Sequence, residues 1–460
     1  MNIIENITIE GLFGEHTLNI PIKDNKLLLV AENGSGKTTI VNIIYFFLSK
    51  QWIKLLRYNF SKITATIDGE KISLNKEDID LFRSDKIQKF LMRYPSNLRE
   101  KLFDFFLTAD PIELFRTPQK MELAADKLNI PMSIFFELST RINREQFNLF
   151  SNISEKNLQT NKIIDAQILY LPTYRRIEQD LKNIFPDLES DIDKYRRRKR
   201  INKTSDETSY VELVEFGMEY VEVKINNRLN ELKENLNNKL KNDLTGTYLK
   251  DVINKRYTKI STTETDTFDE KVLSSILNII DEDVLSKAEK EKLITFVGEI
   301  KQVRGLKKDE NKMIAFFIYR LINIYNEQKK EEQDIVEFVN ICNQYSSNKE
   351  FIYDNINFQL YISPKVHGEI RHKERIELKD LSSGEKQIVS LFSHLYLSKQ
   401  RYFVIIDEPE LSLSVPWQQR FLSDVNSNQY CDGIIAVTHS PFIFENELEE
   451  YSHTLSEFIS

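Results

Sequence analysis

The stretch LLLVAENGSGKTT, from Leu27 to Thr39, constrains the fold of this chain more than any other. A short apolar run, Leu27 to Val30, has the character of a strand buried on both faces, and the IVNIIYFFL that follows suits a helix packed beneath it. Strand, glycine-bearing loop and helix, in that order, make a phosphate-binding loop. Gly34 and Gly36 let the backbone turn its N–H groups inward around an anion. Lys37 reaches the outer phosphates and the Thr38 hydroxyl can hold a magnesium ion, all at a helix N-terminus that favours negative charge. The pattern G-x-x-x-x-G-K-[ST] is met except at its first position, where Ala31 stands in place of glycine.

With 460 residues the chain has room for about two or three domains. Its formal net charge of -8 and pI near 5.6 provide no global attraction to nucleic acid or to an anionic membrane, so any such contact has to be a local patch. The cysteines, Cys342 and Cys431, lie far apart without metal-ligand spacing, which points to a reducing, cytoplasmic setting and predicts burial for both. The N-terminus has no basic region followed by a long apolar core, and no apolar run reaches about eighteen residues, so neither secretion nor membrane spanning is expected. The most apolar window, MIAFFIYRLINIY from Met313, is interrupted by Arg320 and reads as a buried helix.

Residues 1–75 read as the first part of an α/β head: two strands around GLFG, the buried strand at Leu27, the loop and its helix, then KITATI-DG-EKISLN. Asp68-Gly69 between alternating segments predicts an antiparallel pair over Ile63 to Leu74, beside the main sheet. A helical lobe punctuated by prolines is expected over 76–160, and a strand returning to the head within 161–185, at Gln167 to Leu171. Arg175 and Arg176 beyond that strand suit a phosphate or a neighbouring chain, and equally plain solvent. Residues 186–210 read as a polar linker. Its basic run, Arg196 to Arg200, invites a nucleic-acid reading, but a cluster of acids adjoins it and a solvated charge segment is the commoner case. A helical arm follows over 211–350. Ile225, Leu229, Leu232, Leu236 and Leu240 form one apolar stripe, too short for a long coiled coil, and segments at 270–286 and 288–345 are expected to fold back on it as an antiparallel bundle.

Residues 351–460 complete the head and hold most of the chemistry. In NFQLYIS, Phe358, Leu360 and Ile362 alternate with polar residues as in a strand. In LSSGEKQIVSLF, Ser382 and Glu385 form a capping box, which sets Ser382, Ser383 and Gly384 at a helix N-terminus. RYFVIIDEPELSL contains a buried strand, Phe403 to Ile406, that ends in Asp407 and Glu408. A carboxylate pair leaving a strand near a phosphate loop suits magnesium binding by the first and activation of a water by the second. GIIAVTHSPF places His439 at the carboxyl end of a last strand, where ligands bind in open α/β sheets.

Taken together, AENGSGKTT, LSSGEK, VIIDEPE and His439 resemble, in order and spacing, the Walker A, signature, Walker B and switch-histidine motifs of ABC-type ATPases. The long insertion between Thr38 and Ser383 resembles the arm of the SMC, Rad50, RecF and OLD-like branch. GLFG, DEPELSL and HSPFIF are most similar to the stand-alone ATPase subunits of anti-phage defence systems such as PARIS and Septu. The chain departs from the family at Ala31 and at Ser414, where many relatives carry histidine. The resemblance implies an ABC-type α/β head, a mixed sheet plus antiparallel hairpins, split by a helical insertion with a short bundle or coiled-coil arm.

It further implies ATP and Mg²⁺ as cofactors. Asn33, Gly34, Ser35, Gly36, Lys37, Thr38 and Thr39 would line the nucleotide, and Thr38 with Asp407 would hold the metal. Glu408 would be the general base and His439 the sensor of the γ-phosphate, while Ser382, Ser383 and Gly384 would cap the nucleotide of a facing subunit. The implied assembly is a homo-oligomer with composite sites, a dimer or higher, up to a hexamer of dimeric heads. Its implied partners are a separate effector, a nuclease above all, and a phage-encoded trigger, with no membrane and with nucleic acid left open. The alternative is a DNA-repair ATPase of the RecF or Rad50 type acting directly on DNA. Intact Lys37, Asp407 and Glu408 argue against a structural protein with a decayed site.

Overall fold

The computed structural model describes residues 2–14, 16–30, 34, 36–77, 121, 125, 163–172, 210–213, 218–242, 246, 248–261, 264–265, 268–280, 285–303 and 309–459. The expected helical lobe at 76–160 and linker at 186–210 lie almost wholly outside these residues, as do Arg175, Arg176 and the run Arg196 to Arg200.

In chain order, β1 (Ile4–Leu12), β2 (His16–Pro21) and β3 (Lys26–Val30) precede α1 (Lys37–Leu48). The strands β4 (Lys62–Ile67), β5 (Glu70–Asn75), β6 (Gln167–Leu171) and β7 (Tyr210–Glu212) follow it. Next come α2 (Met218–Asn242), α3 (Glu270–Ile279), α4 (Lys287–Val303), α5 (Asp309–Glu331) and α6 (Gln333–Gln344), then β8 (Lys349–Asp354), β9 (Gln359–Val366) and β10 (Glu369–Ile370). The last elements are α7 (Ser383–Leu397), β11 (Tyr402–Asp407), α8 (Val415–Asn426), β12 (Cys431–Thr438) and β13 (Ser452–Thr454). The backbone forms two compact units, Met1–Glu215 with Gln400–Ser460, and Phe216–Lys399.

The first unit holds a six-stranded sheet in the order β13-β3-β12-β11-β6-β7, with every pairing parallel. Its inner strands are largely apolar on both faces, as a parallel sheet covered on both sides requires: Leu27, Leu28 and Leu29 are buried, and so are all residues of β11. A separate four-stranded antiparallel sheet, β2-β1-β4-β5, alternates instead, with Ile7 and Ile9 buried and Thr8 between them partly exposed. The expected hairpin is there, and Asp68 and Gly69 both take positive φ, 52° and 80°, as a two-residue turn matched to strand twist demands. Ile40, Val41, Ile44 and Phe47 of α1 join Ile7, Ile9 and Ile63 of one sheet and Leu27, Ile405 and Ile435 of the other in a single core.

Parallel pairing has the consequence that matters for chemistry. Val30 pairs with Thr438 and Asp407 with Val437, so β3, β11 and β12 end together at one edge of the sheet. The loop before α1, the acids after β11 and His439 are delivered to that edge by register alone.

Two local expectations change. Tyr210–Glu212 is a short strand on the edge of β6, not the end of a linker and the start of a helix; three residues carry no readable period, and only β6 supplies the partner for their backbone. Cys342 is buried as expected, whereas Cys431, at the start of β12, keeps part of its surface exposed.

In the second unit the stripe Ile225, Leu229, Leu232, Leu236 and Leu240 is the buried face of α2. Arg228 of α2 pairs with Asp334 at 2.8 Å, Leu232 accepts from Gln328, and Lys239 meets Glu331 at 2.7 Å and Glu327 at 3.6 Å. These ties hold α2 against the last turns of α5 and the start of α6. Arg320, the interruption in the apolar window of α5, lies 3.2 Å from Asp251, while Ile318, Leu321 and Ile322 are buried. Among the described residues no helix is long and apolar enough to cross a membrane.

Candidate active site

The loop between β3 and α1 turns through left-handed backbone at Gly34 (φ 83°) and Gly36 (φ 86°). Gly36 is also the residue before α1 and offers no side-chain cap, so the first N–H groups of the helix are not answered from that position. A Cβ on Gly36 would stand 2.8 Å from the ring of Phe13, an exposed side chain of GLFG that can swing aside, so it is the positive φ that calls for glycine there. Asn33 and Ser35 lie outside the described residues, and so does Ala31. Thr38 and Thr39 occupy the first turn of α1.

Lys37 is 5% exposed, an ammonium held at the sheet edge among carboxylates. Burial depresses its pKa, and the charges of Glu408, Glu410 and Asp407 oppose that depression without cancelling it. Its Nζ lies 2.6 Å from Nε2 and 2.7 Å from Nδ1 of His439. Nε2 of His439 in turn lies 3.7 Å from Oε1 of Glu408. Residues from the start of α1 and from the ends of β12 and β11 thus touch or nearly touch.

Asp407 is fully buried at the end of β11, and Glu408 directly after it has φ 53°, a left-handed conformation that costs a non-glycine residue energy. The Glu408 N–H still donates to the Val437 carbonyl at 2.8 Å, which pins the turn to β12. Asp407 is wholly buried and Glu408, one residue on, is partly exposed, and the charges of both act on Lys37.

Ser382, Ser383 and Gly384 belong to the other compact unit, at the N-terminus of α7. The capping box forms: Ser382 Oγ accepts from the Glu385 N–H at 3.3 Å, and the Ser382 N–H donates to Glu385 at 2.8 Å. Burial pushes the Glu385 carboxyl up, but its ion pair with Lys349 and its bonds to Ser382 outweigh this and hold it below its ordinary value. Ser383 remains exposed beside the buried Gly384.

The residues at the sheet edge fit a nucleoside triphosphate with magnesium. A helix start without a side-chain cap, a buried lysine and a glycine cradle suit phosphates. A hydroxyl at Thr38 and a buried carboxylate at Asp407 are the one or two protein oxygens with which Mg²⁺ supplements phosphate. Among the described residues no cluster of three or more His, Cys, Asp or Glu could hold a metal by side chains alone. Sequence reasoning missed Glu410, Gln418 and Lys349. Glu410 was visible as the third acid of DEPE; nothing in the local pattern marked the other two.

Several solved structures overlap this fold. The Smc head domain with an extended coiled coil bound to the C-terminal domain of ScpA, from Pyrococcus furiosus, is 13% identical, with 96% of this chain and 91% of that chain covered at a TM-score of 0.33. The Smc head domain with a coiled coil and joint from Pyrococcus yayanosii is 15% identical, with 96% and 93% covered at a TM-score of 0.29. No curated protein matches the chain. The family model described as AAA ATPase domain matches residues 3–444, and so nearly all of the sequence. That match embraces every residue brought together at the sheet edge, and the chain belongs to the AAA ATPase domain family and is an ATPase.

Proposed function

We propose that this ATPase is a sensor or scaffold whose ATP cycle controls a separate effector, a nuclease, in anti-phage defence. The reading rests on one observation above others: Lys37, His439 and Glu408 converge at the end of the parallel sheet, next to the unshielded start of α1. In this reading Gly34, Gly36 and Lys37 hold the phosphates, Thr38 and Asp407 hold Mg²⁺, Glu408 takes the proton of the attacking water, and His439 contacts the γ-phosphate. Magnesium, when bound, neutralises charge on the phosphates and fixes their orientation.

The signature residues Ser382, Ser383 and Gly384 serve the nucleotide of a second copy, so that ATP closes an assembly of heads. The defence role is supported by the likeness of GLFG, DEPELSL and HSPFIF to subunits of such systems. The experiment is phage plating on cells carrying this gene with its neighbours, wild type against Lys37→Ala. Protection that the substitution abolishes is the expected result. No protection by the wild type, together with salt-dependent DNA binding by the purified chain, overturns it in favour of the DNA-repair alternative.

A further inference from the structure

The third acid of DEPE, Glu410, has entered so far only as a charge acting on Lys37, yet its carboxylate makes two short side-chain bonds at the sheet edge. Glu410 Oε1 accepts from the His439 backbone N–H at 2.8 Å, and Oε2 accepts from Thr438 Oγ1 at 2.8 Å. One carboxylate therefore grips both residues across the peptide at which β12 ends. The Thr438 side chain is wholly buried and serves the same bend, because its Oγ1 also accepts from the Ser440 N–H at 3.0 Å. Ser440 Oγ donates to Gln418 Oε1 at 2.6 Å, and Gln418 Nε2 donates to the Leu413 carbonyl at 3.0 Å.

Both ties to the His439 turn thus come from the segment that follows β11. Glu410 lies just past the strained Glu408, and Gln418 lies in the first turns of α8. A carboxylate that accepts two bonds is a stiffer clamp than a neutral acceptor, since hydrogen bonds to a charged group are about twice as strong. Without it the His439 N–H, beyond the last ladder bond of β12, would have to find water or another acceptor, and the imidazole would lose its fixed origin.

We propose that Glu410 is a positioning residue: its carboxylate locks the Thr438–His439 peptide so that the imidazole is presented to Lys37 and Glu408. The same clamp makes the acidic loop and the histidine turn one mechanical piece. The inference rests on the reading of His439 as a contact of the γ-phosphate, and the experiment separates the two.

Steady-state ATP turnover and nucleotide affinity are measured for Glu410→Ala, Glu410→Asp, Glu410→Gln, His439→Ala and the double substitution Glu410→Ala/His439→Ala. Lys37 keeps its place and the charges of Glu408 and Asp407, so nucleotide affinity stays within a few fold. Misplacement of a reacting group lowers kcat of Glu410→Ala by about 10- to 100-fold. Aspartate, one methylene shorter, cannot span both partners and falls likewise. Glutamine keeps an acceptor for the His439 N–H and a donor for Thr438 Oγ1, and it restores kcat to within a few fold. In the His439→Ala background, removing Glu410 has no further effect, because the clamp acts through the imidazole.

Wild-type kcat in both Glu410→Ala and Glu410→Asp, or losses that multiply in the double variant, overturn the proposal while leaving His439 its role. An unchanged kcat in His439→Ala overturns the reading of His439 as well. If Glu410→Ala does not fold, aspartate and glutamine carry the same comparison, and equal activity of those two overturns the clamp.

Discussion

Lys37 and His439 stand 402 residues apart in the chain, yet Nζ of one lies 2.6 Å from Nε2 of the other. The contact joins the start of α1 to the end of β12, and Glu408 Oε1 is 3.7 Å beyond it. On the proposed reading, a phosphate held by Lys37 would lie beside this imidazole and this carboxylate. Catalysis by positioning and charge, which is nearly all that phosphoryl transfer asks of a protein, needs this arrangement and little more.

Glu408→Gln keeps size and a hydrogen-bonding oxygen but removes the base. Turnover is expected to fall by ~10²–10⁴, the range for a positioned general base, with nucleotide affinity preserved and the ATP-bound assembly accumulating. Lys37→Ala is expected to lose nucleotide affinity instead. Turnover, nucleotide binding and size in ATP, measured on both variants, check this; a wild-type rate in Glu408→Gln would reassign the base.

Ser383→Arg places a long cation at the exposed start of α7, beside Gly384. Turnover is expected to vanish while the fold persists. Mixing it with Lys37→Ala is expected to restore part of the activity, because each protein contributes one good half to a composite site. Equal inactivity of the mixture, with both proteins folded, rules against sites shared between copies.

The Arg228–Asp334 pair ties α2 to α6 with side chains 3% and 9% exposed. Asp334→Ala leaves a guanidinium with too little counter-charge in a dry place. Denaturant unfolding is expected to show a loss of about 3–5 kcal/mol, the range for breaking a buried pair. Replacing both partners by leucine and methionine of similar volume is expected to cost far less. A loss well under 1 kcal/mol in Asp334→Ala would show that water reaches the pair.

The Lys224 ammonium sits 2.9 Å from Nδ1 of His394, although part of the residue is exposed. Burial lowers the lysine from 10.5 to about 7, and burial followed by the lysine's charge holds the histidine well below 6.5. Between about pH 7 and 10.5 the unfolded chain holds the lysine proton and the folded one does not, so stability rises with pH across that window. Below 6.5 the unfolded histidine takes a proton the folded one refuses, and stability falls further. Lys224→Met is expected to raise the thermal midpoint at pH 7 and flatten the slope above it. An unchanged slope in the variant would place the titration elsewhere.

The features legible in the sequence were those set by a few neighbouring residues. Positive φ at Gly34, Gly36 and the Asp68-Gly69 turn, the Ser382–Glu385 box, the wholly buried β11 and the stripe on α2 all follow from spacing and residue chemistry within about a dozen positions. His439 could be named because a strand end in this class of sheet is a known place for chemistry.

Only the tertiary structure decided which strands lie side by side. Nothing within five residues of Gln167 says that β6 pairs with β11, or that the three residues of β7 extend that edge. Backbone hydrogen bonds are alike at every residue, so partners are chosen by long-range burial, which leaves no local period. The same holds for the Glu410 clamp and the Arg228–Asp334 tie, each made by side chains that meet only after the elements have packed. The chemistry was written in short motifs; their convergence came from parallel register, which ends β3, β11 and β12 at one edge.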